Sequence, residues 1–391
     1  MNSKLILRKG AEGRILSGHP WIYRNEIDDV VGSWAPDGAI AIHTRDGRFI
    51  GRGFYNPKTA IACRSLTSND EPIDLSFFRR RIESGLAYRR DLGLDTDTYR
   101  LVSSEGDQLP GLIADRYGDL VVVQCLTLGM EQNRHLILQA LESLLSPRGI
   151  FFKTDRAAQK IEGLAGISGW LRGEGEREVQ IREGGARFWV DLEGGHKTGF
   201  YLDQRESRQS VAALAKRKRL LDAFCYTGAF ACLALLAGAR EAVAIESSKE
   251  ALNLAQRNAE LNGVADRLHL IDGNAFDELR RLERAREQFD LVILDPPSFT
   301  RRRGAVEAAL RGYKEINIRA LRLLEPGGIL ATFSCSHHVS PALFDETLRA
   351  SAGDAGRSVR LIATLTQARD HPILLNVPET FYLKGRLCQV V

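Results

Sequence analysis

None of the six cysteines, Cys63, Cys125, Cys225, Cys232, Cys335 and Cys388, stands in a C-x-x-C pair, so neither a zinc site nor a disulfide framework is indicated and no metal is expected. Apolar residues make up 44% of the chain, yet no run is long enough to cross a bilayer. The start also lacks the charged, apolar and small-residue order of a signal sequence. A soluble, cytoplasmic protein with no membrane partner is expected. Excess charge of one sign is scarce as well: net charge is +4 with a pI near 8.7, a bias that permits a polyanionic partner without requiring one. The basic residues are instead clustered, at Arg79-Arg80-Arg81, Arg89-Arg90, Lys216-Arg217-Lys218-Arg219 and Arg301-Arg302-Arg303. At 391 residues the chain has room for two or three domains with their own cores.

One further scarcity is more specific. Leu220 to Phe230 reads as a short apolar strand ending at Asp222, a turn through Thr227-Gly228, and an apolar helix from Ala229 to Leu236, which is the first strand, loop and helix of a nucleotide-type site. A dinucleotide fold needs three glycines there to let a pyrophosphate approach the backbone, and this loop has one, followed by bulky Phe230. The missing glycines exclude a pyrophosphate and leave an adenosine-bearing ligand without one. S-adenosylmethionine fits, with Asp222 accepting its ammonium, the loop residues Phe224, Tyr226, Thr227 and Gly228 around it, and backbone N–H groups for its carboxylate.

Residues 1–70 read as short strands broken by Gly, Pro and Asp: Leu5 to Leu7, Ala39 to Ile42, Arg48 to Gly51 and Ile61 to Leu66, with His19-Pro20-Trp21-Ile22-Tyr23-Arg24 between the first two. Ten Lys/Arg face seven Asp/Glu in this small β barrel, which resembles the RNA-binding PUA domain. Residues 71–190 begin with a helix carrying Leu75, Phe78, Ile82 and Leu86 on one face and arginines between them. A β-β-α-β-β unit follows, with strands at Tyr99 to Val102, Gly111 to Arg116, Leu120 to Leu126, Gly149 to Lys153, Val179 to Arg182 and Arg187 to Leu192, and a helix from Glu131 to Leu145. Gly163 to Gly175 reads as a mobile Gly-rich connection.

From residue 191 to 391 strands and helices alternate, which implies a parallel sheet with helices on both faces. Strands end at Asp222, Glu246, Ile271, Leu294 and Ser334; Ser247 is placed as the cap of the helix after the second, and Glu325-Pro326-Gly327-Gly328 as a stop before the fifth. Val359 to Thr364 and Thr380 to Cys388 can pair antiparallel at the sheet edge, the tail that marks a class I methyltransferase sheet rather than an ordinary dinucleotide fold. The fold class is therefore α/β: a Rossmann-like methyltransferase sheet preceded by a β barrel and a β-β-α-β-β domain.

In such a sheet the ligand lies beyond the carboxyl ends of the strands, so residues just past each strand converge. Glu246, 24 positions after Asp222, suits the ribose hydroxyls. Asn274 can meet the adenine edge, with Ala275 and Phe276 covering its ring. Asp295-Pro296-Pro297-Ser298-Phe299 offers carbonyls and an aromatic ring to a flat substrate, the pattern of methyl transfer to a nucleobase or amide-like group. Cys335, in Ser334-Cys335-Ser336-His337-His338, stands where a thiol would face the methyl group. Gln204 and Arg205, in the polar stretch before the first strand, suit the carboxylate end of the cofactor.

Lys197-Thr198-Gly199-Phe200-Tyr201-Leu202-Asp203-Gln204-Arg205, the Asp222 to Gly228 loop, Asp295 to Phe299, Ser334-Cys335-Ser336, Asp370-His371-Pro372 and Glu379-Thr380-x-Tyr382-Leu383-Lys384 together resemble the RlmI-type large-subunit ribosomal RNA methyltransferases. The resemblance covers essentially the whole chain. It implies a PUA domain, a central β-β-α-β-β domain and a class I methyltransferase domain. It also implies S-adenosylmethionine-dependent formation of 5-methylcytidine in large-subunit ribosomal RNA, with Cys335 as nucleophile and Asp295 holding the base. At the adenine contact the family carries Asp where this chain has Asn274. Relatives of the same architecture modify other bases, so base N-methylation and a non-catalytic RNA-binding role stay open as alternatives, as does a homodimer.

Overall fold

The computed structural model describes residues 3–35, 38–300 and 303–391. Arg301 and Arg302 of the last basic cluster lie outside the described residues. The chain forms two compact units, one of Met1–Val179, Asp191–Leu202 and Arg369–Thr380, the other of Gln180–Val190, Asp203–Ala368 and Phe381–Val391.

The first unit opens with β1 (Lys4–Leu7), β2 (Trp21–Tyr23), β3 (Ile27–Val31), β4 (Ile40–His43), β5 (Phe49–Tyr55) and β6 (Ile61–Thr67), in the spatial order β2-β6-β5-β4-β1-β3. Alternating apolar residues drive it: Leu5, Leu7, Ile22, Ile40, Ile42, Ile50 and Cys63 form one buried cluster. The segment expected between the first two strands is itself a strand, β2, paired with β6. Trp21 there is half-buried and donates its Nε1–H to Glu105 at 2.9 Å. The helix Leu75–Asp91 starts at Asp74, whose carboxylate accepts the Phe77 N–H, and buries Phe78 and Ile82.

A second sheet follows, with β7 (Thr98–Ser103), β8 (Leu112–Tyr117), β9 (Leu120–Cys125), β10 (Gly149–Phe152) and β11 (Gly169–Gly173) in the order β11-β10-β9-β8-β7. The expected mobile connection thus contains a strand. Gly173 there serves close approach: a Cβ on it would stand 2.0 Å from the Arg148 carbonyl oxygen, while Trp170 packs edge-on against Phe151. The helix expected from Glu131 to Leu145 is two, Leu128–Gln132 and Arg134–Leu145, parted at Asn133.

The hairpin β12 (Glu178–Glu183) and β13 (Ala186–Asp191) precedes the large sheet of the second unit. That sheet comprises β14 (Arg219–Ala223), β15 (Glu241–Glu246), β16 (Leu268–Asp272), β17 (Phe289–Leu294), β18 (Leu324–Ser334), β19 (Val359–Leu365) and β20 (Lys384–Val390), in the order β16-β15-β14-β17-β18-β20-β19. β14 to β18 are parallel, and β20 inserts antiparallel between β18 and β19. Buried on both faces, the central strands are nearly continuous apolar runs, and Leu221, Ile245, Val292, Leu294 and Leu330 share one core with Tyr313 and Phe344. Strand order reverses direction on either side of β14, which makes the carboxyl end of β14 the switch point. The expected stop at Glu325 to Gly328 is carried inside β18 as an irregular register against β17.

Candidate active site

The register of the sheet brings three carboxylates to one end of neighbouring strands. Ala223 pairs with Ile245 and with Leu294, so Asp222 lies one residue before that level on β14, and Glu246 and Asp295 one residue beyond it on the two flanking strands. Asp222 is fully buried and neither oxygen has a well-aligned hydrogen-bond partner, though the Ala231 N–H lies close enough to favour its charge. Burial first, then the charges of Asp295 and Glu246, push its carboxyl well above the ordinary range. A buried acid held among other acids calls for a cation at that point.

The loop after β14 is strained toward this end of the sheet. Phe224 and Tyr226 take left-handed φ values of 71° and 51°, and Gly228 takes 75°. Only glycine suits position 228, because an added Cβ would stand 3.1 Å from the Ala255 methyl as well as at positive φ. Several bonds hold the loop. Phe224 and Cys225 N–H both donate to the Ile245 carbonyl, and Asn258 donates its Nδ2–H to the Thr227 carbonyl at 3.0 Å. The Glu246 carboxylate accepts from Tyr226 N–H at 3.0 Å, Ser247 N–H at 2.7 Å and Ser248 N–H at 2.9 Å. Ser248, not Ser247, caps the following helix, accepting the Ala251 N–H; Ser247 turns its own hydroxyl to Glu246. The buried Thr227 hydroxyl has no partner, and neither end of the buried Gln204 amide has one. Gln204 and Arg205 start the helix Arg205–Ala212, which packs on the helix Ala229–Leu236 that leaves the loop.

Beyond β16, Asn274 is exposed and caps the helix Ala275–Arg284, its Oδ1 accepting the Phe276 N–H at 2.9 Å. Ala275 is buried and Phe276 half-buried. Phe276 lies in a run of rings: Phe224 at 6.3 Å, Phe299 at 5.7 Å, then Tyr313 at 4.6 Å from Phe299. The run leads to the thiol. Tyr313 hydrogen-bonds Ser336 at 2.9 Å, Ser336 hydrogen-bonds Ser298 at 3.2 Å, and Cys335 Sγ lies 3.9 Å from the Pro296 carbonyl oxygen. Cys335 is half-buried, whereas Cys63, Cys125, Cys225, Cys232 and Cys388 are buried. His337 and His338 are exposed past it.

Four residues at this end had no role in the sequence reading: Asn258, Tyr313, Ser336 and Lys384. Asn258 and Tyr313 sit on amphipathic helices among core positions, where the pattern alone marks them as packing. Lys384 stood in a quoted motif, and its one signal was a lysine inside an apolar strand. Among the described residues no cluster of three His, Cys, Asp or Glu could hold a metal, and no helix is long and apolar enough to cross a membrane.

The orphaned Asp222 oxygens, the orphaned Gln204 amide, the Glu246 carboxylate at the end of β15 and the glycine-poor loop fit S-adenosylmethionine. Fold and site define a methyltransferase: the profile of an S-adenosylmethionine-dependent methyltransferase family matches residues 159–374, and that of a PUA-like domain matches residues 5–68. The chain is 41% identical to ribosomal RNA large subunit methyltransferase I of Aeromonas hydrophila, with 98% of each covered, and 40% identical to the protein of that name in Klebsiella pneumoniae, with 99% of this chain covered. It belongs to the family of the ribosomal RNA large subunit methyltransferase I proteins and depends on S-adenosylmethionine. Its fold also matches, end to end, a Streptococcus mutans protein described as a candidate SAM-dependent methyltransferase (TM-score 0.86, 20% identity) and a methyltransferase structure complexed with SAH (TM-score 0.87, 21% identity).

Proposed function

We propose that the protein methylates C5 of a cytidine in large-subunit ribosomal RNA through a covalent adduct on Cys335. The observation that carries this reading is the position of Cys335: it is the half-exposed cysteine, at the carboxyl end of β18, beside the Asp295-Pro296 turn. Residues 191–391 hold cofactor and chemistry; residues 1–70 and the basic clusters supply contacts to the RNA backbone, and residues 71–190 link the two.

Asp222 takes the cofactor's ammonium, Glu246 its ribose, Asn274 with Ala275 and Phe276 its adenine, and Gln204, Arg205 and the loop Phe224, Tyr226, Thr227, Gly228 and Ser247 complete the enclosure. Bound there, S-adenosylmethionine supplies an electrophilic methyl carbon. Cytosine C5 is a poor nucleophile until a group adds at C6. The Cys335 thiolate forms a bond to C6, and the displaced π pair makes C5 enamine-like. Asp295 holds the N3/N4 edge, where charge changes as the adduct forms. After C5 has accepted the methyl carbon, loss of the C5 proton returns its electron pair to the ring and expels the thiolate.

Asp295 to Phe299 alone would serve base N-methylation equally well, and the thiol separates the two chemistries. RNA carrying 5-fluorocytidine at the target should form an enzyme adduct that survives denaturation, because fluorine cannot leave as the proton does. Turnover of that RNA with no adduct, or a methyl group found on a ring nitrogen of natural RNA, would overturn the reading.

A further inference from the structure

β20 returns to the site carrying a lysine. Ser334, the residue before Cys335, pairs across strands with Lys384, and the Lys384 Nζ donates to the carbonyl of Ser336, the residue after Cys335, at 2.8 Å. A second bond of 2.8 Å goes to the Tyr382 carbonyl. The Nζ is thus bonded to the carbonyl of the residue that follows the thiol, on a strand whose backbone pairs with the residue that precedes it. Lys384 is 2% exposed, an unusual place for a lysine that has only carbonyls as partners.

We propose that the Lys384 amine is the proton partner of Cys335, receiving the thiol proton so that the thiolate forms beside an ammonium; this rests on the reading of Cys335 as nucleophile. The valences suit the exchange. A neutral amine has two N–H groups, which match the two carbonyls, and one lone pair left for a proton; an ammonium has a third N–H left to steady a thiolate. In the step the S–H bond breaks and an N–H bond forms. When the thiolate is expelled from C6 the same proton returns to sulfur, and the C5 proton leaves to water. Burial draws the lysine down to about 8, and the Cys335 charge is the group that opposes this.

The other ionisable groups here have their own attachments. Tyr313, on the helix Val306–Leu323, is held protonated by burial and by the Cys335 charge, so it is no base for the thiol proton. Asp295 acts on Asp222, Arg386 is paired with Asp345, and Asp203 accepts the Tyr382 hydroxyl at 2.8 Å. His337 and His338 are exposed beyond the thiol. As a positioning residue, Lys384 acts through sulfur and needs no contact with the RNA.

The test is alkylation of the folded full-length chain by iodoacetamide between pH 5.5 and 9.5, mapped to Cys335 by mass spectrometry, for the wild type and Lys384→Met. The expected result is a fall of about tenfold in Cys335 labelling at pH 7 in the variant, with the midpoint of the profile moved up by about one unit. A folded variant with the wild-type profile overturns the proposal. Should Lys384→Met not fold, the wild-type profile decides alone, since a midpoint at or above about 8.5, the value of an unassisted thiol, overturns it as well. Labelling needs no RNA and no turnover, so it separates from the fluorocytidine adduct. A normal Lys384 effect without an adduct sinks the covalent mechanism and leaves the proton partnership standing; an adduct with unaltered labelling does the reverse.

Discussion

Glu246 accepts the Tyr226 N–H at 3.0 Å, and this bond ties the end of β15 to the strained loop after β14. The carboxylate therefore holds Tyr226 at positive φ, and the proposed function adds the cofactor ribose to its partners. Glu246→Ala should weaken S-adenosylmethionine binding by roughly 1.5–3 kcal/mol, the cost of losing a charged hydrogen-bond partner, read by titration calorimetry. Unchanged affinity would remove Glu246 from the site.

Asp222 carries the opposite balance: as a buried acid among acids it opposes the fold, and in the proposed function it favours the ligand. Its folded-state pKa is raised, by burial first and by Asp295 and Glu246 after it, so the native chain holds a proton that the unfolded chain releases. The sign follows. This group's contribution is best at pH values below its unfolded value and declines as pH rises toward the raised one. Asp222→Asn removes that slope. In the absence of cofactor the variant should melt higher than wild type at pH 8 and by a smaller margin at pH 5, while losing most of the rise in Tm that S-adenosylmethionine gives the wild type. A variant that melts lower without cofactor, or gains as much from it, would show that no ammonium sits there.

Glu183 and Arg208 make a bidentate pair, Nε to Oε1 at 2.7 Å and NH2 to Oε2 at 2.5 Å, with side chains 1% and 2% exposed. It joins the hairpin β12–β13 to the helix Arg205–Ala212 within one unit. Removing a single partner strands the other charge in the core, so Glu183→Ala should cost about 3–5 kcal/mol on the unfolding transition that S-adenosylmethionine raises. Adding Arg208→Met to it should recover much of the loss. A single substitution costing under about 1 kcal/mol would mean that water reaches the pair.

Periodicity made the large sheet legible, since buried parallel strands are apolar runs bounded by Gly, Asp and Ser, and the antiparallel tail separated it from a dinucleotide fold. Residues immediately past strand ends could be named for the same reason: a parallel sheet sends them to one edge whatever their separation in sequence. The pattern failed where a glycine or a proline had been read as a break. Gly169 to Gly173 pairs as β11 because the neighbouring β10 supplies hydrogen bonds that override local propensity, whereas Glu325 to Gly328 is carried in β18 as an irregularity between the paired Leu324 and Ile329. Trp21 to Tyr23 was missed as a strand because three residues show no alternation. Lys384 was missed for another reason: its function depends on the cross-strand register of β20 against β18, and no spacing in the sequence encodes which residue lies opposite Ser334.

Cys335 decides between the chemistries available to this fold. An N-methylating enzyme draws on a ring nitrogen's own lone pair, so the thiol would be dispensable; a C5-methylating one cannot activate its carbon without addition at C6. Cys335→Ala should therefore bind cofactor and RNA as the wild type does and lose turnover almost completely, since nothing it does is shared with binding. Cys225, Cys232 and Cys388 provide the control. All three are buried, and burial raises the pKa of each, which keeps them as uncharged thiols at neutral pH. Replaced one at a time by Ala or Ser, they should leave the fluorocytidine adduct in place, with its mass mapped to the peptide containing Cys335. Methylation by Cys335→Ala near the wild-type rate, or an adduct on another cysteine, would overturn the mechanism and leave the sheet, the loop after β14 and the family assignment intact.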